Sequence, residues 1–194
     1  MIEKKDITGI ILAGGKSSRM GTDKGLLLLN DKAFVQYSID ALKKLVSEII
    51  IVSDNPNYDA FGLKRINDIT KNAGPVAGIC SGLEATSTEY NLILSCDIPL
   101  ITSDLLKKLI ESIDDTSEVI QIESNGKTMP LIALYKKQCK DKFYDFLKND
   151  ERRLRIAVKA FKSKNIVLEK ENEMFTMNVN TQNELKAVED AYNR

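Results

Sequence analysis

Apolar, β-branched runs recur through the first half of the chain at Ile7 to Leu12, Glu48 to Ser53, Lys64 to Asn67 and Tyr90 to Ser95, each separated from the next by a helical or loop pattern. Parallel neighbours in a sheet need a crossover connection, and the crossovers cover both faces, so this alternation predicts an α/β chain built on a mostly parallel sheet. Between the first two runs, Phe34, Tyr37, Ser38, Ala41, Leu42 and Leu45 form a stripe at three- and four-residue spacing, with Gln36, Asp40, Lys43 and Lys44 on the other side. Further helices are expected from about Val76 to Ala85 and from Thr102 or Ser103 to Ile113, the latter with a hydroxyl cap and Asp104 near its positive end.

The second half changes character. Glu118 to Glu123 and Thr128 to Tyr135 read as strands joined by Ser124-Asn125-Gly126, and an Asn-Gly pair favours the tight turn of an antiparallel hairpin. Helices are expected from Lys136 to Lys148 and from about Arg153 to Phe161, then a short strand near Asn165 to Leu168. Thr181 and Glu184 have the spacing of a capping box for a last helix. No repeat, low-complexity tract or Pro/Gly-rich linker divides the sequence, so residues 1–194 are expected to form one domain.

Composition removes whole classes of chemistry. The chain has no histidine, which excludes Ser-His-Asp and Cys-His catalysis and a His-ligated metal. The three cysteines, Cys80, Cys96 and Cys139, lack Cys-x-x-Cys spacing and suggest neither a disulfide framework nor a zinc site. Lys+Arg and Asp+Glu both number 28, so a surface-wide polyanion binder is not expected, and no apolar run approaches the roughly 18 residues of a membrane span. A cytoplasmic protein with neither nucleic-acid nor membrane partners is the expectation.

The first apolar run opens directly into Leu12-Ala-Gly-Gly-Lys-Ser-Ser-Arg-Met-Gly-Thr-Asp-Lys24. Gly14 and Gly15 let backbone N–H groups approach an anion closely, and Lys16, Arg19 and Lys24 bring cations to the same loop. A turn that is glycine-rich for geometry alone would leave those cations unexplained. A Walker A loop ending at Gly15-Lys16-Ser17 would need glycine where Ile10 stands, and Gly14, Gly15 and Gly21 do not make Gly-x-Gly-x-x-Gly. The loop is therefore read as a different phosphate cradle, with the amides of Ala13 to Gly15 as donors and Arg19 and Lys24 as charge partners.

Ser95-Cys96-Asp97-Ile98-Pro99 closes the fourth run. Ligands collect beyond the carboxyl ends of parallel strands, so Asp97 belongs on the rim that carries the loop after Leu12, either as a carboxylate for Mg²⁺ and phosphate or as the start of a turn before Pro99. Asp68, after the third run, is a second rim carboxylate or an ordinary loop residue. Gly74-Pro75 followed by Gly78 and Gly82 suits close helix packing or a helix N-terminus facing an anion. Asn178 and Asn180 straddle Val179 with strand periodicity and point the same way, to grip a ligand or to form a turn. Arg152, Arg153 and Arg155 offer a landing place for a second anion or a solvated face.

Taken in order, Leu12 to Lys24, Gly74 to Gly78, Cys96 to Pro99, Pro130 to Leu134, Glu151 to Arg153 and Asn178 to Thr181 resemble the motif series of the molybdenum cofactor guanylyltransferases, MobA-type nucleotidyltransferases of Rossmann-like three-layer fold. The resemblance spans nearly the whole chain and implies that the hairpin is an antiparallel insertion into that fold. It implies GTP as donor, bound by Leu12, Ala13, Gly14, Gly15, Lys24 and Asp68, with Asp97 holding Mg²⁺ and molybdopterin as acceptor. Arg19, Arg153, Asn178 and Asn180 would lie toward the phosphates or the pterin. Cofactor-insertion proteins or molybdoenzymes that deliver or receive the pterin are the protein partners it suggests. The sequence departs from the family at Val52 to Asn55, where Ser53 or Asn55 takes the place of an asparagine near the guanine, and at Gln182-Asn183. The competing readings are a CTP-dependent sibling acting on molybdopterin or a sugar or polyol phosphate, a non-catalytic nucleotide-binding regulator, and a phosphate-binding module without nucleotide. Lys16 and Asp23 receive no role.

Overall fold

A computed structural model describes residues 2–14, 23–71 and 73–192. Along the chain the elements are β1 (Ile7–Leu12), β2 (Leu28–Leu29), β3 (Lys32–Ala33), α1 (Phe34–Leu42), β4 (Glu48–Val52), β5 (Lys64–Ile66), α2 (Gly74–Ala85) and β6 (Tyr90–Ser95). The second half adds α3 (Ser103–Glu111), β7 (Val119–Ser124), β8 (Lys127–Lys136), α4 (Cys139–Lys148), α5 (Leu154–Val158), β9 (Ser163–Val167) and α6 (Gln182–Tyr192).

Seven strands make the main sheet in the order β5-β4-β1-β6-β8-β7-β9, and β8 alone runs against the rest. The expected α/β architecture with a mostly parallel sheet is what the chain adopts. The hairpin of β7 and β8 does not hang off this sheet: β8 pairs directly with β6, and β9 extends the sheet beyond β7. Asn125 and Gly126 have φ of 52° and 66°, the left-handed pair that a two-residue hairpin turn requires.

β1 is buried along its whole length, as a central strand covered on both faces must be. One face packs against α1 and α3 through Ile11, Leu42, Leu92, Leu105 and Leu134; the other packs against α2, α4 and α5 through Ile10, Ile79, Ile93, Phe143 and Ala157. Gly82 settles one alternative in favour of close packing, since a Cβ there would sit 2.6 Å from Ile10 Cγ2. The hydroxyl of Thr102 accepts from the Leu105 amide and starts α3 as its cap. No helix among the described residues is long and apolar enough to cross a membrane.

Two features position the site. Leu12 is in register with Val52 on one side and Ser95 on the other, and Val52 with Ile66, so the loops after β1, β4, β5 and β6 leave from one rim. The chain fills the sheet outward from β1 to β5 and then returns to the other flank with β6, which puts the topological switch point at β1 and β6. The second feature is a bulge. Between Gln121 and Ile122 the β7–β8 register jumps from Ala133 to Met129, so the stretch with Pro130 and Leu131 is released from the β7 ladder.

Candidate active site

At the switch point a cleft of about 590 Å³ is lined by Leu12, Ala13, Gly14, Ser53, Asp68 and Gly78, among others. A Cβ added at Gly14 would meet nothing within 4 Å, and its φ is not left-handed. The glycine thus leaves the cradle open and is not needed for a turn. Gly74, Pro75 and Gly78 bring the first turns of α2 to the same wall, and Gly78 lets that helix close on Leu12 Cδ2. Gly15 and Arg19, both expected in the site, lie outside the described residues, as does Lys16.

Lys24, Asp97 and Asn180, far apart in sequence, meet here. Lys24 Nζ donates to Asp97 Oδ2 at 3.3 Å and to Asn180 Oδ1, while Ser95 Oγ donates to Asp97 Oδ1 at 2.6 Å. Asp97 is only 8% exposed, and among the described residues its carboxylate takes those two donors. The C-terminal segment is fastened to the same loop, because the Val179 amide donates to the Asp97 carbonyl at 2.9 Å. Val179 turns inward against Leu29, Phe34 and Val188, which sends Asn178 and Asn180 outward together, as their alternation predicts. Behind them Glu184 accepts from the Asn180 amide, and Thr181 accepts from the Glu184 amide as the cap of α6.

A second cleft of about 790 Å³ adjoins the first, and Pro75 and Leu131 line both. Its walls include Asn178, Asn180, Arg153, Arg155, Lys127 and the released segment of β8. Arg153 grips Glu151 with two nitrogens at 2.9 and 2.6 Å. Lys24 and Asp97 themselves line neither cleft, but residues beside them line both: Asp23 and Ser95 the first, Ile98 and Asn180 the second.

Asp68 lies in the first cleft in an unusual state. Its Oδ1 is buried without a hydrogen-bond partner among the described residues, and burial, reinforced by the Asp54 charge, pushes its carboxyl up to about 6. Ser53 and Asn55 also line this cleft, but the Asn55 amide is engaged at both ends, Oδ1 by the Asn57 amide and Nδ2 by Asp23.

Asp23 is the residue that reasoning from sequence left idle. Its carboxylate accepts from the Gly25 amide at 3.2 Å, from Asn55 Nδ2 at 3.0 Å and from the hydroxyl of Tyr58 at 2.5 Å. The acidic residue next to Lys24 is the available sequence signal, but its partners come from the turn after β4. Among the described residues no group of three or more Asp, Glu, Cys or His side chains forms a ready-made metal cage. Asp97 nevertheless suits a hard cation: among the described residues each carboxylate oxygen accepts one hydrogen bond, which leaves it lone pairs for a metal, and Mg²⁺ takes its other ligands from phosphate and water.

The MobA-like NTP transferase domain family matches residues 9–164. A probable molybdenum cofactor guanylyltransferase of Flavobacterium johnsoniae is 34% identical over 92% of this chain and 94% of its own. One from Clostridium perfringens is 40% identical over 79% of this chain and 76% of its own. The fold is shared with molybdopterin-guanine dinucleotide biosynthesis protein A of Archaeoglobus fulgidus, at a TM-score of 0.81 and 18% identity over 96% of this chain and 98% of that one.

Proposed function

This chain belongs to the MobA-like nucleotidyltransferases, and within them to the molybdenum cofactor guanylyltransferases, and from that membership we propose that it transfers GMP from GTP to the terminal phosphate of molybdopterin. The observation that carries the reading is the Lys24–Asp97–Asn180 cluster, whose sequence neighbours line two adjoining clefts, one for each substrate. Residues 1–194 act as one nucleotidyltransferase domain in this reading, working in the cytoplasm where GTP is supplied.

A phosphate oxygen of the acceptor attacks the α-phosphorus of GTP in line; the new P–O bond forms as the bond to the bridging oxygen breaks, and pyrophosphate leaves with that electron pair. The attacking oxygen is already anionic, so no general base is needed and the missing histidine is no obstacle. What the protein supplies is alignment and compensation of charge. In this account Leu12, Ala13, Gly14 and Gly15 cradle the nucleotide, and Lys24 and Arg19 neutralise phosphate oxygens. Asn178 and Asn180 orient the acceptor, and Asn180 holds the Lys24 ammonium toward the junction. Asp97 would hold Mg²⁺, which when bound supplies Lewis-acid neutralisation of the phosphates.

Asp68 supplies nucleotide affinity. A buried carboxylate oxygen without a donor finds one in the N–H or O–H groups of a bound nucleoside. Until then its charge costs stability. Its folded pKa lies above the unfolded value, so its favourable contribution is full below about pH 4 and is lost as pH rises through about 6.

Thermal shift measured against GTP, CTP, ATP and UTP with Mg²⁺ tests this reading. GTP at 100 times its Kd is expected to stabilise the wild type by about 2.7 kcal/mol. Asp68→Asn should raise the Tm of the free protein at pH 7.5, a gain that fades toward pH 4, yet bind GTP on the order of 10- to 100-fold more weakly. A shift with CTP and none with GTP would overturn the guanylyl assignment, and unchanged GTP affinity in Asp68→Asn would remove Asp68 from the site.

A further inference from the structure

Lys24 and Asp97 are each preceded by a residue that faces the same buried hydroxyl. Tyr58, in the 3-10 turn Pro56–Phe61 after β4, is fully buried, and its hydroxyl donates to Asp23, the neighbour of Lys24. Cys96, the neighbour of Asp97, is buried beside it: a Cβ built on Gly25 would lie 2.2 Å from the Tyr58 hydroxyl and 3.0 Å from Cys96 Sγ. Gly25 is thus the point where the lysine's backbone, the tyrosine and the cysteine converge, and only a hydrogen fits there. Asp23 also caps the turn that carries Lys24, by accepting from the Gly25 amide, and its other oxygen takes Asn55 from the wall of the nucleotide cleft.

We propose that Tyr58 is a positioning residue for the phosphoryl-transfer pair, its hydroxyl holding the backbone before Lys24 and the backbone before Asp97 at a fixed separation through Asp23 and Cys96. It touches neither substrate. The proposal rests on the reading of Lys24 and Asp97 given above and adds to it the part that sets their spacing. Three acceptances converge on one carboxylate, and a structural brace alone would not need to sit beside both catalytic residues. The electrostatics agree, since burial first and then the neighbouring Cys96 and Asp23 hold the phenol far above its ordinary value and therefore protonated, as a fixed donor must be. Misplacing reacting groups by about an ångström costs on the order of 10²-fold in rate, so loosening this hinge should be visible in kcat.

Tyr58→Phe keeps the ring and removes the hydroxyl. In the wild-type background kcat is expected to fall about 10- to 100-fold with the KM for GTP changed by less than about threefold. In a Lys24→Ala background the same substitution should change kcat by less than about twofold, because nothing is left to position. Asp23→Asn, which retains an acceptor for both the Gly25 amide and the hydroxyl, should keep much more activity than Asp23→Ala. An unchanged kcat for Tyr58→Phe, or an equal loss in both backgrounds, would overturn the proposal in favour of a merely structural role. The Lys24 ammonium resonance in ¹⁵N-lysine-labelled protein provides a readout independent of turnover. If it responds to Tyr58→Phe while the wild type transfers no guanylyl group, the functional reading fails and the positioning one stands; if it does not respond, the positioning one fails.

Discussion

Alanine at position 97 is expected to lower guanylyl transfer by on the order of 10²-fold or more, and alanine at position 24 by a similar factor, because each removes one partner of a preorganised charge pair whose neighbours line the two clefts. The loss should fall on kcat more than on KM for GTP if, as proposed, the cradle and Asp68 bind the nucleotide. Asp97 is only 8% exposed and depends on Lys24 and Ser95, so Lys24→Ala leaves a nearly buried carboxylate short of its cation. That variant should lose stability as well as rate. Asp97→Asn separates the two effects: its amide oxygen can still accept from Lys24 or Ser95, yet it carries no charge for a metal or for compensation. It is expected to melt close to the wild type and to be nearly as inactive as Asp97→Ala. Steady-state kinetics beside a melting curve for the three variants decides the matter, and near-normal turnover by purified Asp97→Ala would remove Asp97 from the chemistry.

The second large effect is expected at Gly25. Its missing Cβ would stand 2.2 Å from the hydroxyl of a fully buried tyrosine, which cannot swing aside without giving up Asp23. Gly25→Ala should therefore destabilise by about 1–3 kcal/mol, as overpacking of a filled core does, and lower Tm by about 2–4 °C for each kcal/mol in a chain of this size. Turnover should fall further than stability explains, since the displaced main chain carries Lys24. Gly14 is the control for glycine loss as such: no atom of the described residues lies within 4 Å of a Cβ there, and Gly14→Ala should stay within about 0.5 kcal/mol of wild type in stability. Equal melting temperatures for Gly25→Ala and wild type would mean that the packing around Tyr58 is looser than described.

What the sequence made legible follows from the range of the interactions involved. Strand periodicity, the Thr102 cap and the Asn125-Gly126 turn are local, and each was identifiable from a few residues. The shared rim is legible as well, because parallel strands send their carboxyl ends the same way, and this brings Lys24 and Asp97 together; Asn180 joins them through the C-terminal segment tied to the Asp97 carbonyl. Contacts between distant segments without a periodic signal were not. Tyr58 reaches Asp23 from the turn after β4, so its sequence position says nothing of its place beneath the lysine loop. The adjoining clefts depend on a register jump at Gln121 and Ile122, which no run of apolar residues encodes. The resemblance offers Ser53 or Asn55 for the base; both line the first cleft, where the Asn55 amide bonds Asp23 and the Asn57 backbone.

Helix ends shifted for similar reasons. The expected helix from Lys136 begins at Cys139, because Lys136 ends β8 and its amide is taken by the Glu118 carbonyl. The short α5 starts at Leu154 and not at Arg153, whose side chain and amide are both drawn to Glu151.

On the proposed assignment, two substrates meet beside the Lys24–Asp97 pair and a guanylyl group passes between them. Pyrophosphate release, measured with GTP and molybdopterin supplied singly and together in the presence of Mg²⁺, tests it most directly. Release that requires both substrates, with one pyrophosphate formed for each dinucleotide, is the predicted result. Release from CTP and not from GTP, or from GTP at the same rate without the acceptor, would contradict it.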